Sequence, residues 1–402
     1  MFKGSLPGFR DFYPQELAER AFVMQTWRDV ARRYAFVEYD GPPLEPLDLY
    51  TRKSGAEIVG QLYTFVDKGG REVALRPEMT PTVARMIAAR ANALRKPVRW
   101  FSVPQLFRYE RQQKGRLREH FQLNVDIFGS SDVSADAELV ACGVDVMRAF
   151  GLTSSDVVVR VSDRRILQAF LESLGVPAGA LTEVYGVIDK LDRTPPDVSA
   201  EKLAALGVPA AAIDRIVSIA SVELSEVMLQ LAGMPAAVHA DEFARYLAYT
   251  SALLGGDTSW LELDLSIVRG LAYYTGIVFE LFDRSGEFRA ICGGGRYDTL
   301  LHSLGGADMP ALGFGMGDVV LGELLRAKGL MTPADTSADY WIAAEETAPL
   351  EQVMREAARL RAAGHSVEYA LRPQSVNKQK QAAQASGARK FVTLSNDDAS
   401  NG

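Results

Sequence analysis

Residues 106–122, with the sequence LFRYERQQKGRLREHFQ, carry the densest set of charged side chains that could bind a ligand. The polar stretch 112–115 separates two alternating runs, which predicts an antiparallel hairpin with a basic tip. Because side chains of a strand alternate between its faces, Arg108 and Glu110 would share one face of the first strand. Arginine pairs with phosphate oxygens in a bidentate manner, so this pattern favours a polyphosphate ligand. A hairpin whose charges are merely solvated is the alternative.

The returning strand of this hairpin adds further polar groups on a single face. The side chains that alternation brings together there are Arg118, His120, Gln122, Asn124 and Asp126. Guanidinium, imidazole, amide and carboxylate groups on one surface predict that a polar molecule binds there. Arg116, near the tip, would close over the far end of a polyphosphate.

Segment 74–81, ALRPEMTP, places a carboxylate at the entrance to a helix. Glu78 follows a strand and precedes the helix start, a position where carboxylates and hydroxyls commonly line a pocket. Thr80 would cap the helix, and Pro81 would occupy its first turn. For Glu78, an ordinary surface position is the alternative.

Segment 268–276, VRGLAYYTG, introduces Arg269 into an apolar run, where a guanidinium group needs a partner or a ligand. The adjacent Tyr273 and Tyr274 could be ordinary strand formers. Two glycine-rich segments follow, CGGGRYD at 292–298 and GFGMGD at 313–318. Neither fits a phosphate-binding loop or a dinucleotide fingerprint, so these glycines indicate close approach of another backbone or a ligand.

Length and composition restrict the classes of protein to which the chain can belong. Its 402 residues predict two or three domains, and 44 basic against 51 acidic residues give a net charge of −7. Mild acidity argues against sequence-independent coating of DNA, although a local basic groove for RNA stays open. There is no apolar run long enough for a membrane span and no secretory signal. Two cysteines without a Cys-x-x-Cys motif suit a reducing cytosol and argue against structural zinc.

The elements that must position these residues follow from hydrophobic periodicity. Helices are expected over about 15–34, from about 81, from 134 and over 317–328, and strands over 98–103, 105–111, 118–128, 260–265, 276–283 and 311–315. Alanine- and leucine-rich helices without strands are expected from about 163 to 255. After a polar linker at 331–337, strands at 340–344, 366–371 and 390–394 alternate with helices at 350–363 and 375–386. This alternation predicts a small α/β domain with a parallel sheet.

Together these segments resemble the histidyl-tRNA synthetase family, which has the class II synthetase catalytic fold. The resemblance begins with GFRDFYP at 8–14 and includes LEP at 44–46, RKSGAEIV at 52–59 and the segments described above. It implies an α+β core whose antiparallel sheet is flanked by helices, with a helical insertion and a C-terminal α/β domain that binds the anticodon. The implied bounds are 1–162 and 257–330 for the core, 163–256 for the insertion, and 338–402 for a truncated final domain.

The resemblance also implies a cytoplasmic homodimer that serves protein synthesis by activating histidine with ATP and transferring it to tRNA(His). Mg²⁺ would accompany ATP, and no structural metal, membrane or DNA is implied. Arg108 would hold the α-phosphate, Arg116 the γ-phosphate end and Glu110 the adenine side, while Arg269 would be the principal catalytic cation with Arg108 beside it. The residues implied around histidine are Glu78, Met79, Thr80, Arg108, Gln122, Asp126, Arg269, Tyr273 and Tyr274.

The chain departs from the family pattern at three positions near this site. Val320 stands where the third class II motif has an arginine that contacts ATP, and Ala272 stands where many relatives have aspartate. The order His120-Phe121 is reversed, so His120 rather than Phe121 would face adenine. A second interpretation therefore stays open, a synthetase-like regulatory subunit of ATP phosphoribosyltransferase that senses histidine without aminoacylation. The three retained arginines favour the synthetase.

Overall fold

The computed structural model describes residues 4–51, 59–110, 115–268, 274–304, 306, 308–333, 335–345 and 349–394. The chain divides into two compact units, Met1–Thr332 and Pro333–Gly402. In the parts of the chain so described, no helix is both long and apolar enough to cross a membrane.

The first unit is built around a large mixed sheet with a small separate sheet beside it. Its strands are β1 (Val37–Glu38), β2 (Leu44–Pro46), β3 (Thr64–Val66), β4 (Glu72–Leu75), β5 (Val98–Ser102), β6 (Gln105–Phe107), β7 (Glu119–Phe128), β8 (Val157–Asp163), β9 (Leu261–Leu263), β10 (Ile277–Asp283), β11 (Cys292–Arg296) and β12 (Ala311–Gly317). Eight strands of the large sheet form the order β1-β5-β7-β12-β11-β10-β8-β9, and β6, the ninth strand, pairs with β7. Strands β2-β4-β3 form the small sheet. Only the edge pairs β1–β5 and β8–β9 of the large sheet are parallel. The antiparallel core expected from the resemblance is therefore confirmed.

Helices of the first unit pack on both faces of the large sheet and fill the long connection between β8 and β9. They are α1 (Pro14–Arg33), α2 (Asp48–Thr51), α3 (Thr80–Arg90), α4 (Ser134–Ala149), α5 (Arg164–Ser173), α6 (Leu181–Ile188), α7 (Pro196–Ala205), α8 (Ala210–Val217), α9 (Leu224–Leu231), α10 (Ala237–Leu253), α11 (Leu300–Ser303) and α12 (Asp318–Ala327). The stretch from α5 to α10 is described throughout and contains no strand, as its composition predicts. Its apolar side chains, including Val184, Leu203 and Ile216, continue the core of the sheet.

The two faces of the large sheet differ sharply in chemistry. One face presents Phe101, Val125 and Phe314 to the core that Trp27 of α1 and Met147 of α4 complete. On the opposite face, the register places Gly313 and Gly315 of β12 beside Asp126 and Asn124 of β7. The next strand continues this face with Gly295 and Gly293 of β11. The sheet therefore has one packed apolar face, while the opposite face combines this glycine-lined polar region with a second apolar cluster, in which Phe128 and Val278 pack with Ile87 of α3.

The second unit is a three-stranded parallel sheet with two helices. Its elements are β13 (Tyr340–Ala344), α13 (Leu350–Ala362), β14 (Val367–Tyr369), α14 (Val376–Ser386) and β15 (Lys390–Leu394), and the strand order is β14-β13-β15. Ile342 of β13 and Ala357 of α13 are fully buried between the sheet and that helix. The predicted small α/β unit with parallel strands is confirmed.

Local structure near the site corrects three sequence-based predictions. Thr80 is the first residue of α3 and makes no capping bond, so its assignment as the N-cap is wrong. The strand expected over 105–111 ends at Phe107, because the Tyr109 amide donates to Gln61 O and the Glu110 amide donates to Arg108 O. Arg108 and Glu110 therefore do not share a strand face. Trp260 ends a 3₁₀ turn rather than opening a strand.

Candidate active site

The turn that carries Glu78 is held in place by a buried arginine. Arg76 is 5% exposed, and its Nε donates to Gln105 O at 3.0 Å while its Nη1 donates to Gly41 O at 2.7 Å. These bonds fix the chain between β4 and α3 against β6. Glu78 itself is buried, and the side chain of Met79 is fully buried, so a contact of Met79 with a ligand would come from its backbone.

Arg108 reaches that same turn from the hairpin. Its Nε donates to Pro77 O at 3.0 Å, and its backbone amide donates to Arg118 O at 2.9 Å across the hairpin. The guanidinium group is thereby anchored through one nitrogen beside Glu78. Charge at a fixed position, already oriented by the protein, is what stabilises a developing anion most effectively.

Arg116 and Glu110 form an ion pair near the tip of the hairpin. Nε of Arg116 lies 3.0 Å from Oε2 of Glu110, with the arginine partly exposed and the carboxylate buried. Oε2 of Glu110 nevertheless accepts no hydrogen bond, so the N–H of Arg116 is not directed at it. A guanidinium group held by charge alone can turn toward an anionic ligand at low energetic cost.

His120 occupies the polar face of β7, whereas Phe121 points to the opposite side. The Phe121 ring packs edge-on against Phe12 at 6.2 Å, and the Arg20 guanidinium lies 4.7 Å from the Phe121 centroid. Burial, followed by the positive charges of Arg108 and Arg10, lowers the pKa of His120 to about 3. His120 is therefore a neutral ring at pH 7, and the alternation predicted for this strand is confirmed.

Asp126 lies on the polar face of β7, where the glycines of the neighbouring strand β12 leave room for its side chain. A Cβ atom on Gly313 would overlap Oδ1 of Asp126, and one on Gly315 would lie 2.7 Å from Nε2 of Gln122. Asp126 is 3% exposed and accepts a hydrogen bond from the Tyr297 hydroxyl. Burial raises the pKa of Asp126 to about 7, although the bond from Tyr297 acts in the opposite direction.

This raised pKa gives a stability prediction for Asp126→Asn. A carboxyl that holds its proton in the folded state up to about pH 7, but loses it near pH 4 when unfolded, stabilises the protein most below pH 4. Relative to the variant, the free energy of unfolding of the natural chain should fall between about pH 4 and 7, by at most about 1.4 kcal/mol per pH unit. Urea unfolding at four pH values measures it, and parallel profiles for the two proteins would contradict it.

Two of the proposed site residues, Arg269 and Tyr273, lie outside the described residues, as does Ala272. Tyr274 is described and buried, and it packs in a cluster with Ile87 of α3 and Tyr297. Thr80 is partly exposed at the start of α3. The structure thus brings the turn at Glu78, Arg108, His120, Gln122 and Asp126 to one side of the sheet.

Several residues near the site have roles that the sequence did not reveal. Tyr297 supports Asp126, and Arg10 joins two buried carboxylates, with Nε 2.6 Å from Oε1 of Glu119 and Nη1 2.9 Å from Oδ2 of Asp318. Oδ1 of Asp318 also accepts the Phe121 amide at 2.9 Å. These partners are far apart in the sequence, so only the strand register reveals them.

The described ranges contain no group of three or more His, Cys, Asp or Glu side chains that could hold a metal ion. Cys142 and Cys292 are both buried. His302 is largely exposed beside Asp308, and His365 lies 3.9 Å from Asp339 in the second unit.

Comparison with known proteins agrees with this architecture. The family model described as histidyl-tRNA synthetase matches residues 8–317. The histidine–tRNA ligase of Opitutus terrae is 44% identical over 392 residues, which cover 96% of this chain and 89% of that protein.

Solved structures show the same fold at lower identity. A histidyl-tRNA synthetase from Nostoc sp. matches with a TM-score of 0.83 and 24% identity over 99% of this chain and 93% of that one. A protein from Bacillus halodurans described as an ATP phosphoribosyltransferase regulatory subunit/histidyl-tRNA synthetase matches with a TM-score of 0.79 and 20% identity over 98% of both chains. Because both functions occur in that description, the fold alone does not separate them. The family match and the identity to the Opitutus terrae protein place this chain in the histidyl-tRNA synthetase family.

Proposed function

We propose that the chain is a histidine–tRNA ligase, which forms histidyl-adenylate from histidine and ATP and then transfers the histidyl group to tRNA(His). One observation carries this proposal. Arg108 is fixed at Pro77 O beside the buried Glu78, close enough to His120 to lower the pKa of that ring. A phosphate-binding cation thus adjoins a polar face that ends in the buried carboxyl of Asp126.

The first step requires charge stabilisation more than covalent chemistry from the protein. A carboxylate oxygen of histidine attacks the α-phosphorus of ATP, the new P–O bond forms, and the bond to the β-phosphate oxygen breaks to release pyrophosphate. Arg108 would bind the α-phosphate oxygens on which charge builds, and Arg269 would be the second cation for them. Arg116 would leave Glu110 for the γ-phosphate, and ATP would enter as its Mg²⁺ complex.

Histidine would lie on the polar face beside β7. Asp126 and Glu78 offer carboxyl groups for its ammonium or imidazole, and Gln122 offers an amide that the absent side chain at Gly315 leaves accessible. The remaining groups proposed around it are Thr80, the backbone of Met79, Tyr273 and Tyr274. The neutral ring of His120 and the carboxylate of Glu110 would contact adenine.

The second step and the assembly complete the proposal. The histidyl group would move to the terminal adenosine of the tRNA, with adenosine monophosphate as the leaving group. The core is proposed to comprise 1–162 and 257–330 with the insertion 163–256 near the acceptor stem, while 338–402 would bind the anticodon. We include a homodimer and a cytoplasmic location in this proposal because both follow from the family.

Histidine-dependent exchange of labelled pyrophosphate into ATP tests the first step directly. Purified protein with ATP-Mg²⁺ should incorporate label when histidine is present, and replacement of histidine by another amino acid should abolish it. Charging of tRNA(His) then tests the second step. Absence of exchange at high enzyme concentration would refute the proposed activity.

The regulatory interpretation has weaker support. Such a subunit has no need of phosphate-binding arginines, yet Arg108 and Arg116 persist at the positions described above. It would also require a stable complex with a short catalytic phosphoribosyltransferase. Co-purification of that enzyme, together with absence of exchange, is the result that would favour it.

A further inference from the structure

Val320 lies at the position where the resemblance to the family implies an arginine that contacts ATP. Its side chain is 8% exposed within the apolar core, and its Cγ2 lies 3.3 Å from the position that a Cβ would take on Gly115. This position therefore forms an apolar support beneath the hairpin and donates no hydrogen bond. If ATP binds here, the charge that an arginine would supply must come from another residue.

The strand register brings Arg289 to the end of the sheet where His120 lies. Gln122 pairs with Gly317 in the β7–β12 ladder, and the Gly317 amide donates to Ile291 O at 3.3 Å. Gln122, Gly317 and Ile291 therefore lie side by side across β7, β12 and the chain just before β11. His120 precedes Gln122 by two residues and Arg289 precedes Ile291 by two, and their strands run in the same direction because each is antiparallel to β12.

The surroundings of Arg289 agree with this placement. Its side chain is exposed and extends from the connection between β10 and β11. Burial, followed by the like charges of Arg116 and Arg193, lowers the pKa of Arg289, whereas Glu110 acts in the opposite direction. Glu110 already pairs with Arg116. Guanidinium groups that repel one another around a shared carboxylate create a favourable position for a further anion.

We infer that Arg289 binds the polyphosphate of ATP from the β11 side, together with Arg116, in place of the arginine absent at Val320. This inference rests on the proposed function for its substrate. Two guanidinium groups on opposite sides of a phosphate chain can each form bidentate hydrogen bonds with its oxygens. The connection between β10 and β11 would thus supply an ATP-binding residue.

Arg289→Ala tests this role, with Arg284→Ala as the matched control. Arg284 belongs to the same connection, but its Nη1 bonds Glu262 at 2.6 Å and its Nη2 bonds Ser259 O at 2.7 Å. In pyrophosphate exchange, Arg289→Ala should raise KM for ATP by about tenfold or more. KM for histidine should stay within about twofold, because histidine would lie farther along the face. Arg289→Lys should raise KM for ATP less than Arg289→Ala does, since lysine retains the positive charge but cannot form bidentate hydrogen bonds.

The inference fails if Arg289→Ala leaves KM for ATP within about twofold of the natural chain. It also fails if Arg284→Ala raises that KM equally, because the shape of the connection would then be the cause. Titration calorimetry with ATP-Mg²⁺ gives a readout that does not depend on catalysis. If the natural chain shows no exchange, the proposed function is refuted, and the ATP affinities of the natural chain and Arg289→Ala still decide the role of this residue.

Discussion

Arg108→Ala should lower kcat for histidine-dependent pyrophosphate exchange by about 10²–10³-fold, the cost of losing one oriented donor to a developing oxyanion. We expect this large effect because the hydrogen bond from Nε of Arg108 to Pro77 O, 3.0 Å long, fixes the orientation of the guanidinium group. Arg108→Lys should recover only part of the rate, since an ammonium group lacks the fork. Exchange kinetics at saturating histidine and ATP measure the effect.

Arg99→Ala is the control for loss of an arginine from the same sheet. Arg99 pairs with Glu138 at 2.7 Å, and its neighbour across the ladder is Ile127 on the packed face. It should leave kcat unchanged. A kcat for Arg108→Ala within about threefold of the natural value would contradict the proposed role of Arg108 in the transition state.

Arg10→Met should lower the free energy of unfolding by about 3–5 kcal/mol, the range measured when one partner of a buried ion pair is removed. Arg10 bonds both Glu119, which is 1% exposed, and Asp318, which is 8% exposed. Without Arg10, two carboxylates would stay buried and close together with no cation between them. Denaturant unfolding at pH 7 measures the loss.

Neutralising the same cluster provides the control. The triple variant Arg10→Met, Glu119→Gln, Asp318→Asn removes the uncompensated charge while preserving side-chain volume, so it should regain most of the lost stability. Nε2 of Gln105, which bonds Glu119 at 2.9 Å, would keep an acceptor in the amide oxygen that the Glu119→Gln substitution introduces. If Arg10→Met alone lowers the free energy of unfolding by less than about 1 kcal/mol, the ion pairs of Arg10 do not stabilise the contact between β7 and α12.

Local periodicity predicted those elements whose side-chain pattern is set by one buried surface. Helix α1 was expected over about 15–34 and occupies Pro14–Arg33, and the helices of the second unit agree with their expected bounds to within one or two residues at each end. In each case a regular apolar stripe lies on the buried side of the helix. Such a stripe can be recognised without knowing what it packs against.

Predictions failed where long-range contacts override the local pattern. Strand β6 stops early because the Tyr109 amide bonds Gln61 O, a partner too distant in the sequence for any short window to contain. The role of Tyr297 depends on Asp126, 171 residues earlier. Arg10 and Asp318 are separated by 308 residues. Strand alternation therefore predicts which polar residues share a face of β7, but it does not predict their individual partners.

The glycine-lined face of β11 and β12 limits how substrate selectivity could be re-engineered. Where Gly313 and Gly315 lie against Asp126 and Gln122, any larger residue would displace the very groups proposed to recognise the amino acid. Mutational libraries that aim at a new amino acid should therefore spare these two strands. Diversity belongs instead beside the sheet, at Glu78, Thr80 and Tyr274, where a changed side chain reshapes the site without moving the strands beneath it.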